Sequence, residues 1–248
     1  IIGLSLIYVY RFINNRKHIF AKYHPYILAL NIISIYTLSK MIEDVVDNES
    51  IIKLDTWINA NIVHLWNPLL NVIMIAINNI FTPTNTLILC IVLLAFRIYK
   101  KNWHQALVLF FTLGFASLTD LIIEPLVHRV RPENAIINAT GYSFPRGHTI
   151  LATIFFIMLI YSFKDKFKGK AKSLFILFNI LMILLIGFDR VYLNVHWFSD
   201  TIAGLSIALF WFTFTNLAIH ILVAIRFKIV DLIGYKSAER LKKLMYKY

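Results

Sequence analysis

The chain has 248 residues, of which 59% are hydrophobic, and a formal net charge of +12 at neutral pH. Its mean hydropathy is +0.70, which is rare for a soluble domain of this length. Several apolar runs are long enough to cross a bilayer core of about 30 Å. The composition therefore excludes an ordinary soluble protein and indicates one membrane domain with several spans. The single cysteine, Cys90, excludes an internal disulfide.

Most of the positive charge lies at the ends of apolar runs. Four segments, 11–22, 97–101, 164–172 and 226–248, contain 19 of the 25 lysines and arginines. The positive-inside rule assigns all four to the cytoplasmic side of the membrane. A nucleic-acid partner is not indicated, because it would require a basic stripe on a folded polar face. The partner that this pattern predicts is the lipid bilayer itself.

The apolar runs predict seven membrane segments, the first of them partial. In chain order they are 1–10, 26–41, 86–98, 103–123, 150–163, 173–188 and 198–225. We therefore expect a partial N-terminal helix with a basic cytoplasmic loop over 1–25. A membrane domain is expected over 26–226, followed by a basic cytoplasmic tail over 227–248.

The stretch between the second and third predicted segments is different in character. Residues 43–55 are acidic, and 55–66 are amphipathic. At helical spacing one face carries Trp57, Ile58, Ile62, Leu65 and Trp66. Tryptophan in such a place predicts a helix that lies in the membrane interface. Residues 69–80 are predicted to insert only partly, because a full crossing would move the basic segment 97–101 to the outside.

Three polar clusters then fall on the predicted outer side of the membrane: 124–132, 145–148 and 189–200. In the third cluster, His196 and Asp200 are four residues apart and share one face of a helix. A carboxylate in that position can accept a hydrogen bond from one imidazole nitrogen. The other nitrogen is then left as a nucleophile or a base.

The other two clusters supply groups that suit a phosphate. Gly147 and His148 precede an apolar run, so they are expected at a helix N-terminus, where backbone N–H groups favour an anion. His148 could protonate a leaving alkoxide, and Arg131 could clamp phosphate oxygens. Each cluster alone also fits an ordinary loop, a helix cap or a snorkelling arginine. Their convergence on one membrane face favours a single phosphate site.

These residues resemble the type 2 phosphatidic acid phosphatase family, which also includes vanadium haloperoxidases. The three family motifs are Lys-x6-Arg-Pro, Pro-Ser-Gly-His and Ser-Arg-x5-His-x3-Asp. All internal spacings are kept here by Arg131-Pro132, by Pro145 with Gly147-His148, and by Arg190, His196 and Asp200. The resemblance extends from about residue 55 to about residue 209.

The resemblance implies an all-α fold, a polytopic membrane helical bundle with a six-helix phosphatase core plus the partial N-terminal helix. It implies that His196 attacks phosphorus, Asp200 orients it and His148 protonates the departing lipid alcohol. The resemblance also implies that Arg131 and Arg190 bind phosphate oxygens. Gly147, at the expected helix N-terminus, and Arg146, which departs from the family motif, are further candidates for binding the phosphate. No metal or other cofactor is expected, since the histidines lack zinc-like spacing and catalysis in the family proceeds without a metal.

Each motif also contains a departure from the family pattern. The motif lysine falls on Glu124, and the two motif serines fall on Arg146 and Asp189. With neutral histidines, the fixed charges at the motif positions sum to zero, whereas the family pattern gives plus two. Two unit charges 4 Å apart interact by roughly 4 kcal/mol at an effective dielectric near 20. A change of this size is large enough to abolish phosphate binding or to alter its target.

Three explanations therefore compete. In the first, Arg146 replaces the lost lysine while Glu124 and Asp189 hold the arginines in place. The enzyme then remains a lipid-phosphate phosphatase or phosphotransferase. Its substrate would be a phospholipid or a polyprenyl pyrophosphate such as undecaprenyl pyrophosphate. Alternatively, Arg146 fills the pocket, and the protein is an inactive homologue that binds or translocates a lipid. In the third explanation, the site acts on a different group, such as a zwitterionic headgroup or a phosphodiester in a transferase reaction.

The predicted location is the bacterial plasma membrane, with the site on the extracytoplasmic face. The Lys-, Ile- and Asn-rich composition indicates an AT-rich bacterial source. The oligomeric state and the identity of the lipid are left open by the sequence.

Overall fold

The computed structural model describes residues 24–145 and 147–233, and of 224–233 only the backbone. The predicted partial helix 1–10, Arg146 and the last part of the predicted basic tail, 234–248, lie outside the described residues.

The described residues form α-helices joined by short turns and loops, and they contain no β-strand. In chain order the helices are α1 His24–Val46, α2 Ser50–Ile62, α3 Pro68–Ile80, α4 Pro83–Tyr99, α5 Trp103–Val127, α6 Gly147–Phe163, α7 Gly169–Tyr192 and α8 Phe198–Ile233. Short 3-10 turns follow α2 at Val63–Leu65 and α6 at Lys164–Lys166. The predicted all-α class is confirmed.

Six of these helices make up the expected membrane bundle. Helices α1, α5, α6, α7 and α8 are long and apolar enough to cross a membrane, and α4 is a shorter apolar helix of 17 residues. Helix α8 packs along α1, α5 and α6. Buried polar contacts fix two of these pairs, since the Thr112 and Thr215 hydroxyls lie 2.7 Å apart and Asn31 donates to the Phe210 carbonyl over 3.0 Å. Such interhelical hydrogen bonds stabilise helix association in lipid.

Helices α2 and α3 form a bent pair, with an angle of 119° between them. The sequence builds α3 locally, because the Asn67 side chain accepts from the Leu70 N–H and Pro68 occupies the first helical turn. With 13 residues, α3 is about 20 Å long and too short to cross alone.

The predicted amphipathic helix over residues 55–66 is interrupted, although Ile62 and Trp66 of its apolar face pack in one cluster. Helix α2 ends at Ile62, which is buried, whereas Trp57 is 64% exposed. Trp66 lies beyond the 3-10 turn, and its indole Nε1 donates to the Tyr192 carbonyl over 2.9 Å. Trp66 therefore connects this segment to the end of α7. Helical periodicity cannot predict such a tertiary contact.

Two glycines in the bundle give a matched test of this packing. A Cβ on Gly187 of α7 would lie 2.9 Å from Thr201 Cγ2 of α8, while a Cβ on Gly114 of α5 would meet no atom within 4 Å. We expect Gly187→Ala to destabilise the protein by about 1–3 kcal/mol through overpacking. Gly114→Ala should stabilise it by up to about 1 kcal/mol through helix propensity. Thermal unfolding midpoints in detergent would measure both, and equal shifts in one direction would contradict the packing.

Candidate active site

His196 lies in the turn between α7 and α8 and is 2% exposed. Its backbone N–H donates to the Arg190 carbonyl over 3.3 Å, and its Nδ1 lies 2.9 Å from the Ser143 carbonyl oxygen. Because a carbonyl only accepts, this contact assigns the proton of a neutral ring to Nδ1. The remaining nitrogen, Nε2, then carries a lone pair, which is the form that a nucleophile requires.

Asp200 lies in the first turn of α8 and is completely buried. One carboxylate oxygen accepts from the Trp197 N–H over 2.9 Å, as a helix-capping group does. The same oxygen is 3.5 Å from His196 Nδ1, farther than the Ser143 carbonyl. The carboxylate is therefore near enough to stabilise a positive charge on the ring, while the backbone carbonyl accepts the shorter hydrogen bond.

Arg129 joins Asp200 to a second carboxylate that the sequence did not connect with the site. Its guanidinium donates to Asp200 over 2.6 Å and to Asp55 of α2 over 2.6 Å. It also donates to the Ser199 hydroxyl and lies 5.3 Å from the Trp197 ring centroid. Because both carboxylates are buried, Arg129 neutralises charge that water cannot reach. The sequence feature that could have indicated this role is the position of Arg129, two residues before Arg131.

Arg131 has all five of its N–H donors engaged. They contact the carbonyls of Gly141, Thr140, Tyr142 and Val195 at 2.7–3.0 Å and Nε2 of His196 at 3.1 Å. A guanidinium has five N–H donors, so a phosphate oxygen must replace one of these acceptors. The residue assigned to phosphate from the sequence thus also organises the loop before α6 and touches the candidate nucleophile.

Arg190 and Asp189 are both buried at the end of α7 and form an ion pair with each other. Arg190 donates to the carboxylate through Nε and through a terminal nitrogen. The carboxylate that replaces the family serine therefore has a cation beside it. This neutralisation reduces the repulsion that an isolated carboxylate would exert on a phosphate.

The second cluster begins α6 as predicted, with Gly147 at its first turn and His148 buried, 8% exposed. A Cβ on Gly147 would lie 3.2 Å from a carboxylate oxygen of Asp120, so this α5 residue borders the cluster. Sequence analysis did not single out Asp120, although it is one helical turn before Glu124. The Glu124 carboxylate lies 3.4 Å from the Cβ position of Gly141, in the loop held by Arg131.

An apolar cleft of about 260 Å³ adjoins the site. Thr149 in its wall directly follows His148, and Val191 directly follows Arg190. Ile58 of α2 closes another side. A cleft of this kind fits a hydrocarbon chain better than a polar substrate, because apolar surface gains from losing water.

A membrane bundle with a buried histidine, a buried carboxylate 3.5 Å from it and an adjoining apolar cleft is the arrangement of a membrane lipid phosphatase. The family model of the PAP2 superfamily matches residues 105–223, a range that includes all three motifs. The predicted family, the predicted transmembrane architecture and the predicted enzyme class are confirmed.

Similar proteins support this assignment. Phosphatidylglycerophosphatase B of Bacillus subtilis (strain 168) is 26% identical over 184 residues, which are 73% of this chain and 90% of that protein. The crystal structure of a transmembrane PAP2-type phosphatidylglycerolphosphate phosphatase from Bacillus subtilis gives a TM-score of 0.64 at 25% identity, over 78% of this chain and 94% of that one. Aquifex aeolicus LpxE shares the fold, with a TM-score of 0.51 at 21% identity over 66% and 93% of the chains.

Proposed function

We propose that the protein removes a phosphate group from a lipid phosphate monoester or pyrophosphate at the extracytoplasmic face of a bacterial plasma membrane. His196 is the nucleophile in this proposal. The observation that carries it is the hydrogen bond from Nδ1 of His196 to the Ser143 carbonyl, because this bond leaves Nε2 as the reactive nitrogen.

The chemistry proceeds in two displacements. Nε2 of His196 attacks phosphorus, and the bond between phosphorus and the lipid oxygen breaks while His148 gives that oxygen a proton. Water then attacks the phosphohistidine, gives a proton back to His148 and releases phosphate. The buried Asp200 carboxylate, 3.5 Å from Nδ1, stabilises the positive charge that the ring carries in the intermediate.

Arg131 supports this assignment by its position. Its guanidinium lies 3.1 Å from Nε2, so a phosphoryl group on that nitrogen would bring its oxygens within reach of the same donors. Charge-assisted hydrogen bonds to phosphate are stronger than those to neutral carbonyls. We therefore expect substrate to displace backbone acceptors from Arg131, while the helix N-terminus at Gly147 faces the same anion.

Two further observations support a lipid substrate and an outward-facing site. The apolar cleft beside the site suits an acyl or isoprenoid chain. The basic segments 97–101 and 164–172 lie at the opposite ends of the helices that carry the site, which supports an outward-facing site under the positive-inside rule. Phosphatidylglycerol phosphate is the first substrate to test, because the similar Bacillus subtilis protein is named for it.

Phosphate release by the purified protein in detergent tests the proposal. Phosphatidylglycerol phosphate, phosphatidic acid and undecaprenyl pyrophosphate would be supplied in turn to the native protein and to His196→Ala. At least one substrate should give release that the variant lacks. Equal release by both proteins on every substrate would remove the proposed activity.

A second candidate function is lipid binding or translocation without hydrolysis. The half-buried Glu124 favours it, because its carboxylate stands where the family has a phosphate-binding lysine and borders Gly141. Replacing Glu124 by Lys, Arg146 by Ser and Asp189 by Ser together discriminates the two functions. Activity that appears only in the triple variant supports binding without hydrolysis, whereas native activity that the change lowers supports the enzyme.

A further inference from the structure

A polar cavity of about 470 Å³ lies at the end of the bundle opposite the candidate active site. It is open on one side and is lined by the end of α4, the start of α5, the end of α6 and the turns beside them. Ser162 in its wall and His148 at the site are 14 residues apart on α6, which is about 21 Å along a helix. The cavity is therefore a separate feature of the fold.

Arg97 is the central group of this cavity. It is only 2% exposed, and it donates to the Ser162 carbonyl over 3.1 Å. Its Nε is buried without an acceptor among the described residues. The guanidinium also lies 4.3 Å from the Phe163 ring centroid, a contact that covers one face but leaves the donors in the guanidinium plane available.

No carboxylate from the described part of the chain lines the cavity. The nearby Asp165 lies 2.7 Å from Lys172, which it pairs with instead. Of the residues whose side chains the structure does not describe, 1–23 contain no aspartate or glutamate, and 224–248 contain Asp231 and Glu239 against seven lysines and arginines. A buried guanidinium without a carboxylate partner is costly, and an anion bound in the cavity would reduce this cost.

The rest of the cavity wall also suits an anion. Lys101 and Lys166 line its rim. The start of α5 lies in the wall, and Asn102, its N-cap residue, makes no side-chain capping bond, so the positive end of the helix dipole remains available. The buried Ser162 hydroxyl has no partner among the described residues and can donate. Three cations, a helix N-terminus and a hydroxyl thus converge on one space.

We propose that this cavity is a second, non-catalytic binding site that takes a phosphate group, supplied by the headgroup of an anionic membrane lipid or by free phosphate. Its place at the end of the apolar spans is the level at which headgroups lie, and Trp103 at its rim is 57% exposed, as interfacial aromatic residues are. Basic pockets between transmembrane helices bind such headgroups. The proposal does not depend on the chemistry of His196.

Calorimetric titration of the purified full chain tests this site. The ligands are dioctanoyl-phosphatidylglycerol, inorganic phosphate and, as a chain-only control, dioctanoylglycerol. The rim variant Lys101→Gln/Lys166→Gln removes two cavity cations, and Lys168→Gln/Lys170→Gln removes two exposed lysines that do not line the cavity. We expect the rim variant to weaken phosphatidylglycerol binding about tenfold and the control variant less than about twofold.

The outcomes separate the two sources of the phosphate group. Rim-dependent binding of phosphatidylglycerol without binding of inorganic phosphate assigns the site to a lipid headgroup, and rim-dependent binding of inorganic phosphate assigns it to the free anion. Binding that both lysine variants weaken equally, or that neither variant weakens, overturns the proposal, as does rim-dependent binding of dioctanoylglycerol. Arg97→Gln should weaken binding further than the rim variant does, and if it fails to fold, the lysine variants still decide.

The test also stands apart from the proposed catalysis. The titrations are repeated with His196→Asn, which alters the candidate active site and leaves the cavity intact. Rim-dependent binding that persists in an inactive protein supports the second site even where the phosphatase proposal fails. Rim-dependent binding that disappears with His196→Asn would instead assign the anion to the active site.

Discussion

Replacement of His196 by Asn is expected to lower phosphate release from the preferred lipid by about 10³-fold or more, because the attacking nitrogen is removed. The Asn amide can still donate to the Ser143 carbonyl, which lies 2.9 Å from His196 Nδ1, so the fold should be retained. Initial rates would be compared with the thermal unfolding midpoint of each protein. Trapping of a phosphorylated protein in the native form alone would identify the intermediate.

His128 provides the matched control for this substitution. It is exposed, lies 4.7 Å from the Tyr142 ring and has a left-handed backbone with φ 48°, which asparagine tolerates. His128→Asn should keep the rate within about twofold of native, since no step of the proposed reaction uses this ring. A His196→Asn protein that retained a tenth of the native rate would contradict the assignment of His196 as the nucleophile.

The membrane bundle was predictable because bilayer thickness translates directly into the length of apolar runs. The predicted spans 103–123 and 173–188 correspond to Trp103–Val127 and Gly169–Tyr192. The observed helices are longer because their ends carry polar residues such as Glu124 and Arg190, which hydropathy excludes from a predicted span. The break after Ile62 could not be predicted, because Trp66 is held by the carbonyl of Tyr192, which is 126 residues later in the chain.

The motif residues were predictable because their spacing is local. Asp200 follows His196 by four residues. The predicted shared helix face is wrong, because His196 lies in the turn before α8, but the two side chains still approach to 3.5 Å. The contact between Arg129 and Asp55 spans 74 residues, and no periodicity links positions so far apart. The hydrogen bonds from Arg131 to backbone carbonyls could not be predicted either, because every residue type has a backbone carbonyl.

Arg129 is expected to contribute strongly to stability. Its guanidinium lies 2.6 Å from Asp55 and 2.6 Å from Asp200, and its side chain is 9% exposed. Arg129→Gln would leave two buried carboxylates without their cation, and we expect a loss of about 3–5 kcal/mol in the free energy of unfolding. Denaturant unfolding in detergent, followed by tryptophan fluorescence, would measure it. Lys172→Gln breaks an exposed ion pair and should leave the midpoint nearly unchanged.

A double-variant cycle separates the charge of Arg129 from its packing. If repulsion between Asp55 and Asp200 dominates, Asp55→Asn added to Arg129→Gln should restore part of the lost stability, because one of the two carboxylates is then neutral. If the lost contact with the Trp197 ring dominates, the second change should lower stability further. Asp55 is the α2 residue that Arg129 and Ser199 bind. The sign of the coupling energy therefore decides whether charge neutralisation between Arg129 and Asp55 keeps α2 packed against the site.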